Sequence, residues 1–497
     1  MDKSTHSILL IFIVLTHFLF NGSLVMPEDN LSQNLSIDFQ NNLVQYENEV
    51  QIKAVSNESF GEQHLFWIPL PDWIQMRATL LAVGNYCYVY MANETIDLLG
   101  ENNSISKCNS IRDAFDDDVY PKAIEVAGHP NGILGDIDGD PHVTIFLAPT
   151  VRYMGTGYLG FMYLENEDPG FPYTNLREMV YCDSEKNVYE TICITIHEFN
   201  HLIWYNNDWN DADFINEGLA NYAIDYAEYY FWVTTAVTNA FTYYPEISLL
   251  YFNRFYGSLW DASYGQAYLF VTYLANRFGN NFTKELVFIP EDGTVAIDVA
   301  LDRFGYNLTF NDLYLDWITA CVLDNSDIYE GIYGFESVSY TIQAQTAILF
   351  DFEMTRTHYF YGFDVKRMYV PRDSFTFKID NPYPYALGVS LVIKDDNNWT
   401  VTQTIYHEDT DKIQIYVEGI NINNVYVITS LMSPDTPTGF GDVFSLDELI
   451  SSELTYNFFE GNAVTDEVEN TSPYFLFIPM LASLLIVKKR KKLSITE

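Results

Sequence analysis

The pattern of apolar and polar residues divides the chain into a mixed region, up to about residue 346, and a strand-rich region after it. Short stretches from Ala78 onward alternate apolar and polar residues, which is typical of half-buried strands. One longer segment, 111–127, instead has apolar residues at helical spacing. The strands predicted for the mixed region are 79–83, 86–91, 143–147, 155–163 and 179–183.

Helices are predicted for most of the remaining mixed region. The segment 191–203 is apolar on most sides of a helix and should be buried, with Asp183 or Ser184 as its N-cap. A second helix is predicted from 214 to about 234. The last two predicted helices of this region are 261–278 and 313–322.

After residue 347 the pattern changes to alternating strands separated by Asn, Asp and Pro clusters, which indicates an antiparallel β-sandwich. The predicted strands are 375–379, 388–393, 412–417 and 425–429. We therefore predict an α+β chain. Its parts are a mixed domain at 61–346 with its central helices at 187–230, a sandwich at 347–456 and an acidic linker at 457–472.

The two ends of the chain indicate export. Residues 1–23 have the layout of a signal peptide, with an uncleaved anchor as the alternative, and 24–60 is a polar spacer or short pro-segment. Near the other end, an uncharged run at 473–487 precedes five consecutive cations at 488–492. As a helix this run spans about 22 Å, short of the roughly 30 Å hydrocarbon core.

Even so, the basic cluster follows the positive-inside rule, so 473–492 is predicted to be a hydrophobic anchor with a basic tail; the alternative is a buried core helix. The body of the protein would then face outward at the cell surface. Asn-x-Ser/Thr triplets agree with export. They begin at Asn30, Asn34, Asn57, Asn93, Asn102, Asn281, Asn307, Asn398 and Asn470.

Charge and cysteine content narrow the function classes. The chain has 68 acidic and 25 basic residues, a net charge of −43, which argues against nucleic-acid binding. Its five cysteines form no Cys-x-x-Cys pair, so a cysteine-based zinc or redox site is not expected. In an exported chain Cys87 and Cys108 are the most plausible bridge, whereas Cys193 belongs to the apolar core.

The candidate chemistry lies in the central helices. His197 and His201 are four residues apart, so on a helix both can face one metal ion, with Glu198 beside them. Glu217, from the second helix, would be the third ligand and leave one position open. Two histidines, one carboxylate and an open position are the ligand set of a catalytic zinc ion.

The set of His-Glu-x-x-His followed by Asn-Glu-Gly-Leu-Ala resembles the gluzincin clan of zinc peptidases. The seven residues from Asn216 are similar to the corresponding helix of M1-type aminopeptidases. Three other stretches, 135–140, 177–181 and 264–270, look more like secreted hyicolysin-type peptidases. The resemblance covers roughly residues 78–279 and implies a gluzincin-like zinc peptidase domain.

The resemblance also implies further roles. In the resembling enzymes a tyrosine downstream of the metal helices stabilises the oxyanion, and Tyr264 is the candidate, with an ordinary core or surface tyrosine as the alternative. A strand beside the metal pairs with extended substrate, and either 155–163 or 179–183 could do so. M1-type enzymes grip the substrate amine with Gly-x-Met-Glu-Asn. The spacing differs in 160–166 here, which favours an endopeptidase.

A second metal site is predicted at three alternating aspartates, which can hold calcium. They are Asp136, Asp138 and Asp140, and the alternative is a solvated acidic turn. Asn221 and Asp225 are candidates for orienting the histidines, and Gly218 for close approach of the two motif helices.

The sequence thus predicts a cell-surface zinc peptidase, acting on protein or peptide substrates, with Glu198 as general base. Two alternatives stay open. One is a surface adhesin or binding protein on an inactive peptidase scaffold, and the other is an aminopeptidase.

Overall fold

The structure is a computed structural model. It describes residues 58–69, 73–130, 136–155, 158–208, 211–253, 257–347, 352–368, 372–381, 385–394, 398–406, 412–422, 424–433, 451–461 and 475–477. The chain folds into two compact units. Of the described residues, 58–344 and 359–363 belong to the first unit, and the others belong to the second.

One mixed sheet forms the strand layer of the first unit. Its strands are β1 (Gln63–Pro69), β2 (Trp73–Val83), β3 (Cys87–Ala92), β4 (Val143–Ala148), β5 (Gly160–Met162) and β6 (Met179–Asp183). Their order across the sheet is β1-β2-β3-β4-β6-β5. β3, β4 and β6 run parallel, and the other pairs are antiparallel. β5 therefore ends the sheet, whereas β6 is paired on both sides.

The first unit also contains α-helices that pack on the sheet and on one another. The helices are α1 (Asn93–Leu99), α2 (Glu101–Ala114), α3 (Tyr120–Ala127), α4 (Thr150–Met154), α5 (Val188–Asn207), α6 (Asp213–Tyr226), α7 (Trp232–Tyr243), α8 (Ser258–Phe278), α9 (Asn280–Leu286), α10 (Gly293–Arg303) and α11 (Phe310–Leu323). Of these, α2 packs on β2 and β3, α5 packs on β5 and β6, and α8 contacts both α6 and α7.

The central strands β3, β4 and β6 are predominantly apolar, and every residue in them is buried, so both faces of the sheet are covered here. On β3, for example, Tyr88, Tyr90 and Ala92 all join one apolar cluster, together with side chains from β1, β2, β4, β5 and β6. Burial is also as predicted for the central helix α5. Its apolar residues Ile192, Ile194, Ile196, Phe199, Leu202 and Ile203 are all buried.

Several predicted element boundaries are wrong. The helix predicted at 111–127 is interrupted by a π-helical turn, Phe115–Val119, because Pro121 has no amide hydrogen to donate to the preceding turn. The helix predicted to reach about residue 234 ends at Tyr226, and Glu228 then adopts a left-handed conformation with φ 64°. Among the described residues of the strand predicted at 155–163, Gly160–Met162 pairs as a strand.

The N-cap of α5 is also not the one expected. The helix begins at Val188, and the Asn187 side chain accepts a hydrogen bond from the backbone N–H of Glu190 at 3.0 Å. Asp183 instead accepts a hydrogen bond from the backbone N–H of Val151 at 3.1 Å. The turn between β6 and α5 is held by Lys107, whose Nζ donates to the carbonyl of Ser184 at 2.8 Å.

Two glycines let α8 approach its neighbours closely. A Cβ on Gly218 would lie 2.5 Å from the carbonyl oxygen of Ala267, and one on Gly265 would lie 2.2 Å from that of Val237. Gly218 therefore brings α6 close to α8, and not to α5 as the sequence suggested. Since Tyr264 precedes Gly265 on α8, this packing also sets the position of that tyrosine.

The described residues of the second unit form ten strands in two sheets. One sheet has the order β16-β13-β10-β15-β8 and the other β12-β11-β14-β9-β7. The strands are β7 (Gln345–Ala347), β8 (Phe352–Tyr359), β9 (Phe363–Met368), β10 (Arg372–Asp380), β11 (Ala386–Lys394), β12 (Trp399–Tyr406), β13 (Lys412–Ile422), β14 (Asn424–Met432), β15 (Ser451–Glu460) and β16 (Phe475–Phe477). Side chains from both sheets, such as Phe377 on β10 and Val427 on β14, fill one apolar core, so the unit is a β-sandwich.

The sandwich differs from the prediction in two respects. It is not purely antiparallel, because the pairs β7/β9 and β13/β16 are parallel. Its predicted end at residue 456 is also wrong, since this boundary and the start of the linker at 457 fall inside β15. All four strands predicted from alternation lie within observed strands.

The predictions at the chain ends concern residues that are mostly outside those described. The signal peptide at 1–23 lies wholly outside, as does most of the spacer at 24–60. Of the predicted anchor at 473–492, the structure describes only Phe475–Phe477, which pairs with β13 as a strand. Among the described helices, none combines the length and apolar character needed to cross a bilayer.

All five cysteines are buried free thiols. The expected bridge between Cys87 and Cys108 is therefore wrong. Cys87 is the first residue of β3, and Cys108 lies in α2. Cys193, as predicted, is part of the buried surface of α5.

Candidate metal centre

The three predicted metal ligands converge in the first unit. His197 and His201 lie one turn apart on α5, and Glu217 lies on α6, which packs against it. The two Nε2 atoms are 3.1 Å apart. Glu217 Oε2 lies 3.3 Å from Nε2 of His197 and 3.5 Å from Nε2 of His201.

These separations fit a tetrahedral zinc ion. Ligand atoms about 2.05 Å from zinc, at tetrahedral angles, lie about 3.3 Å from one another. The Glu217 Oε2 atom is buried and has no hydrogen-bond partner of acceptable geometry. Two imidazole nitrogens and a carboxylate oxygen that face one point are the donor set that zinc binds.

The orientation of His201 is set by its neighbour on α6. The Nδ1 atom of His201 lies 2.5 Å from Oδ1 of Asn216. An amide oxygen can only accept, so Nδ1 must carry the proton and Nε2 presents its lone pair to the metal position. Sequence analysis had suggested Asn221 and Asp225 for this role. The Asp225 carboxylate instead accepts a hydrogen bond from the hydroxyl of Tyr268.

Exposure differs among the three ligands. The side chains of His201 and Glu217 are 4% and 7% exposed, whereas His197 is 17% exposed. The centre is therefore closed on the His201 and Glu217 sides and most open beside His197. An open side of this kind is required if a substrate is to reach the metal.

The Glu217 carboxylate and the two imidazoles each stabilise the charged form of the other. Burial lowers the pKa of His201, but the Glu217 carboxylate outweighs burial and raises that pKa to about 9. Burial likewise raises the pKa of Glu217, and the two imidazoles outweigh it and hold the pKa well below its usual range. The carboxylate is thus favoured in its charged form, which is the form that binds a cation.

The Glu198 side chain extends from α5 towards the edge strand β5. It is buried, and burial raises its pKa, although both imidazoles oppose the shift. A Cβ on Gly160 would lie 3.0 Å from the Glu198 Oε1 atom, so the carboxylate lies close to the backbone of β5. A glycine at this position of β5 leaves room for the Glu198 side chain.

Tyr264 also reaches the centre. Its hydroxyl donates to Glu217 Oε1 at 3.3 Å, and its ring contacts Phe252 and Trp260. Burial, followed by the Glu217 charge, raises the pKa of Tyr264 well above its ordinary value. The hydroxyl is therefore a protonated donor beside the metal position.

The second predicted metal group is composed differently from the expectation. Asp136 and Asp138 lie close together, but their third partner is Glu178. Asp140 accepts a hydrogen bond from the Tyr88 hydroxyl at 2.8 Å and also pairs with His142. Asp140 is therefore not part of the group of carboxylates that the structure brings together.

Sequence analysis missed Asn216, Gly160 and Glu178. Asn216 could have been suspected, because it directly precedes the ligand Glu217 and carries the acceptor that a histidine ligand needs. Gly160 and Glu178 act across long sequence separations, and no local pattern marks them.

No family model matches the sequence, and no curated protein is significantly similar to it. Some solved structures share a likeness with about a quarter of the chain. This chain is similar to the pre-peptidase C-terminal domain of a collagenase from Bacillus anthracis, at 11% identity over 23% of this chain and 93% of that chain, with a TM-score of 0.15.

Two further likenesses have the same extent. PliG, a periplasmic inhibitor of g-type lysozyme from Aeromonas hydrophila, is 8% identical over 23% of this chain and 96% of its own, with a TM-score of 0.16. CorA, a surface-associated copper-binding protein of Methylomicrobium album BG8, is 6% identical over 23% and 97%, with a TM-score of 0.16. None of these likenesses assigns the chain to a family.

Proposed function

We propose that this protein is a zinc-dependent endopeptidase of the cell surface. The observation that carries the proposal is the convergence of His197, His201 and Glu217 on one point, with Glu198 beside them. When bound there, zinc would lower the pKa of a water molecule and polarise the scissile carbonyl.

The remaining steps belong to side chains of the protein. Glu198 accepts a proton from the attacking water and returns it to the leaving amine. Tyr264, whose hydroxyl donates to Glu217 Oε1 before substrate binds, turns its single O–H proton towards the oxygen that gains negative charge. Asn216 keeps His201 in the tautomer that binds metal.

The substrate strand is proposed to add to β5. This strand is the last in the sheet order, and the carboxylate of Glu198 lies beside its Gly160. The alternative strand β6 is paired with β4 on one side and β5 on the other, so it has no free edge. Pairing through the backbone would hold an extended peptide next to the base and the metal.

The endopeptidase assignment is supported at the segment after β5. In 160–166 the spacing departs from the amine-gripping motif of M1-type aminopeptidases. The Asn166 Oδ1 atom accepts hydrogen bonds from Asn175 at 2.7 Å and from the Tyr181 hydroxyl at 3.1 Å. Asn166 therefore has a local structural role and is not available to a substrate amine.

Zinc content and proteolysis test the proposal together. We expect about one zinc per chain by mass spectrometry in the wild-type protein and little in His201→Ala. Glu198→Gln should keep its zinc and lose at least about 100-fold in turnover of a protein substrate such as casein, because the base is gone.

Three outcomes would overturn the proposal or a part of it. A well-folded wild-type protein that binds no zinc after reconstitution would favour the adhesin or binding-protein hypothesis. Substantial turnover by Glu198→Gln would remove that residue as the base. Faster cleavage of aminoacyl p-nitroanilides than of casein would indicate an aminopeptidase instead.

A further inference from the structure

A group of carboxylates lies apart from the zinc ligands in the first unit. Asp136 and Asp138 precede β4, and Glu178 directly precedes β6. One carboxylate oxygen from each lies within 4.8 Å of the other two. Backbone amides hold two of these side chains in place. Ile137 N–H donates to Glu178 Oε1, and Asp140 N–H donates to Asp138 Oδ1, each at 2.8 Å.

Several oxygens of this region are buried without a partner. Glu178 is 4% exposed, and its Oε2 atom receives no hydrogen bond. The Oδ1 atom of Asp136 is likewise buried and receives no hydrogen bond. Glu167 is only 5% exposed, and its carboxylate is close enough to interact electrostatically with this group. Its Oε2 atom is also buried and receives no hydrogen bond. Buried carboxylate oxygens of this kind are costly unless a cation binds them.

Protein charges do not compensate this group fully. The guanidinium of Arg177 lies nearby, but it is paired with Glu58 at 3.0 Å. Among the described residues, no cationic side chain is hydrogen-bonded to the unpartnered oxygens of Asp136 and Glu178. The repulsion between these buried carboxylates is therefore not offset at those atoms.

We propose that Asp136, Asp138 and Glu178 bind a calcium ion that joins the segments before β4 and β6. Only oxygen atoms converge here, and oxygen is the ligand of hard cations, unlike the nitrogen-rich zinc centre. Calcium takes its ligands at about 2.4 Å, so oxygens on opposite sides of the ion are about 4.8 Å apart. Asp136 and Asp138 are partly exposed, which gives the ion a route from solvent.

The ion would also support the helix of the zinc centre. Asn206 lies on α5, five residues after His201, and near the Glu167 carboxylate. Its Nδ2 atom donates to the carbonyl of Pro130 at 2.8 Å. Calcium would reduce the repulsion between Glu167 and Glu178, and would thereby stabilise the contact between this part of α5 and the sheet.

Calcium titration of the full-length protein tests this site. The protein is first stripped with a chelator and reloaded with zinc alone. We expect one calcium per chain by equilibrium dialysis. We also expect a rise of about 5 to 10 °C in the melting temperature when calcium reaches about 100 times its Kd. Magnesium should give a smaller shift, because it requires a tighter octahedral shell.

Substitutions assign the effect to these residues. In Glu178→Gln and Asp138→Asn the calcium shift should disappear, and the calcium-free melting temperature should be equal or higher, because a buried repulsion is relieved. The matched controls are Glu101→Gln and Asp97→Asn, which change exposed acidic residues on neighbouring helices and should keep the full shift.

The outcome is independent of the peptidase proposal. His201→Ala should lose zinc and keep the calcium response, so failure of one site can be distinguished from failure of the other. The calcium proposal is overturned if the wild-type protein binds no calcium, or if Glu178→Gln responds to calcium as the wild type does. If Glu178→Gln fails to fold, Asp138→Asn, at a partly exposed residue, decides whether the calcium response belongs to this site.

Discussion

Two of the buried groups of polar side chains, one in each unit, are organised in opposite ways. In the sandwich, Lys366 is fully buried and donates to Asp364 at 3.0 Å and to Thr429 at 3.1 Å. Its Nζ atom also lies 3.5 Å from the centre of the Tyr456 ring. The Tyr456 hydroxyl bonds to His358 Nε2 at 2.9 Å, so each member has a partner within the group.

The group around His197, His201 and Glu217 lacks this internal satisfaction. Its nitrogen and oxygen atoms face each other at distances that suit a metal ion, and Glu217 Oε2 has no donor. Both groups contain histidine and a carboxylate, and both are buried. Residue types alone therefore do not distinguish a structural network from a metal site. What distinguishes them is whether the polar atoms are hydrogen-bonded to one another or face a common point without a donor.

Removing a metal ligand should have the largest effect. Glu217→Ala removes one of three ligands and the only negative charge among them. We expect zinc to bind roughly 1,000-fold more weakly, equivalent to about 4 kcal/mol. Competition with a chromogenic chelator measures this. Glu228→Ala, at an exposed residue just after α6, serves as the control and should bind zinc normally. Equal affinity in Glu217→Ala and wild type would contradict the assignment.

In the sandwich, the corresponding loss should appear as instability. Lys366→Met leaves Asp364 without its buried cation, and we expect the free energy of unfolding to fall by about 3 to 5 kcal/mol. Urea denaturation measures the change, and zinc content should be unaltered. Lys412→Met, at an exposed lysine that begins β13, should cost no more than about 0.5 kcal/mol. A loss of zinc in Lys366→Met would remove the distinction between the two groups.

A smaller effect is expected from the residue that orients His201. Asn216→Ala removes the acceptor of the Nδ1 proton, so zinc should bind about 10- to 100-fold more weakly. Asn216→Asp restores an acceptor and should recover most of the affinity. Asn221→Ala, on the same helix, tests the residue suggested by sequence alone and should change little. The reverse ranking of Asn216 and Asn221 would show that the wrong partner has been assigned.

The last prediction concerns acid stability of the sandwich, where the effect grows with each unit of pH. Burial, followed by the Lys366 charge, lowers the pKa of His358 to about 3. Between about pH 6.5 and 3 the unfolded chain therefore binds a proton that the folded chain does not. His358 should thus reduce stability as pH falls, by at most about 1.4 kcal/mol per pH unit.

The pH effect can be isolated by substitution. The difference in free energy of unfolding between His358→Gln and wild type is measured from pH 7 to pH 4. It should shift in favour of the variant as the pH falls, because glutamine does not titrate. A difference that is constant over this range would mean that the folded histidine takes up its proton normally.

Sequence analysis predicted the parts of the structure that depend on short separations. Helical spacing places His197 and His201 on one face of a helix. Glu217 was predicted as the third ligand because its helix resembles the second metal-binding helix of known zinc peptidases. Alternation was sufficient for the main strands of the sandwich. Interruptions such as the π-helical turn before Pro121 were not predicted, because apolar spacing continues through them.

What could not be predicted depends on contacts between distant segments. Asp140 has the spacing of a calcium ligand, yet Tyr88, from another strand, occupies its carboxylate. Glu178 takes its place only because the sheet brings the start of β6 beside the segment before β4. The choice of β5 over β6 as the substrate strand likewise required the strand order.

The closeness of the zinc ligands along the chain has a consequence for folding. His197 and Glu217 are only 20 positions apart, whereas the sheet pairs strands from Gln63 to Asp183. Contacts of short sequence separation have a small loop-closure cost and form early. Docking of α5 on α6 can therefore precede completion of the sheet. A zinc ion present at that stage would act as a folding nucleus, and refolding should be faster with zinc than after chelation.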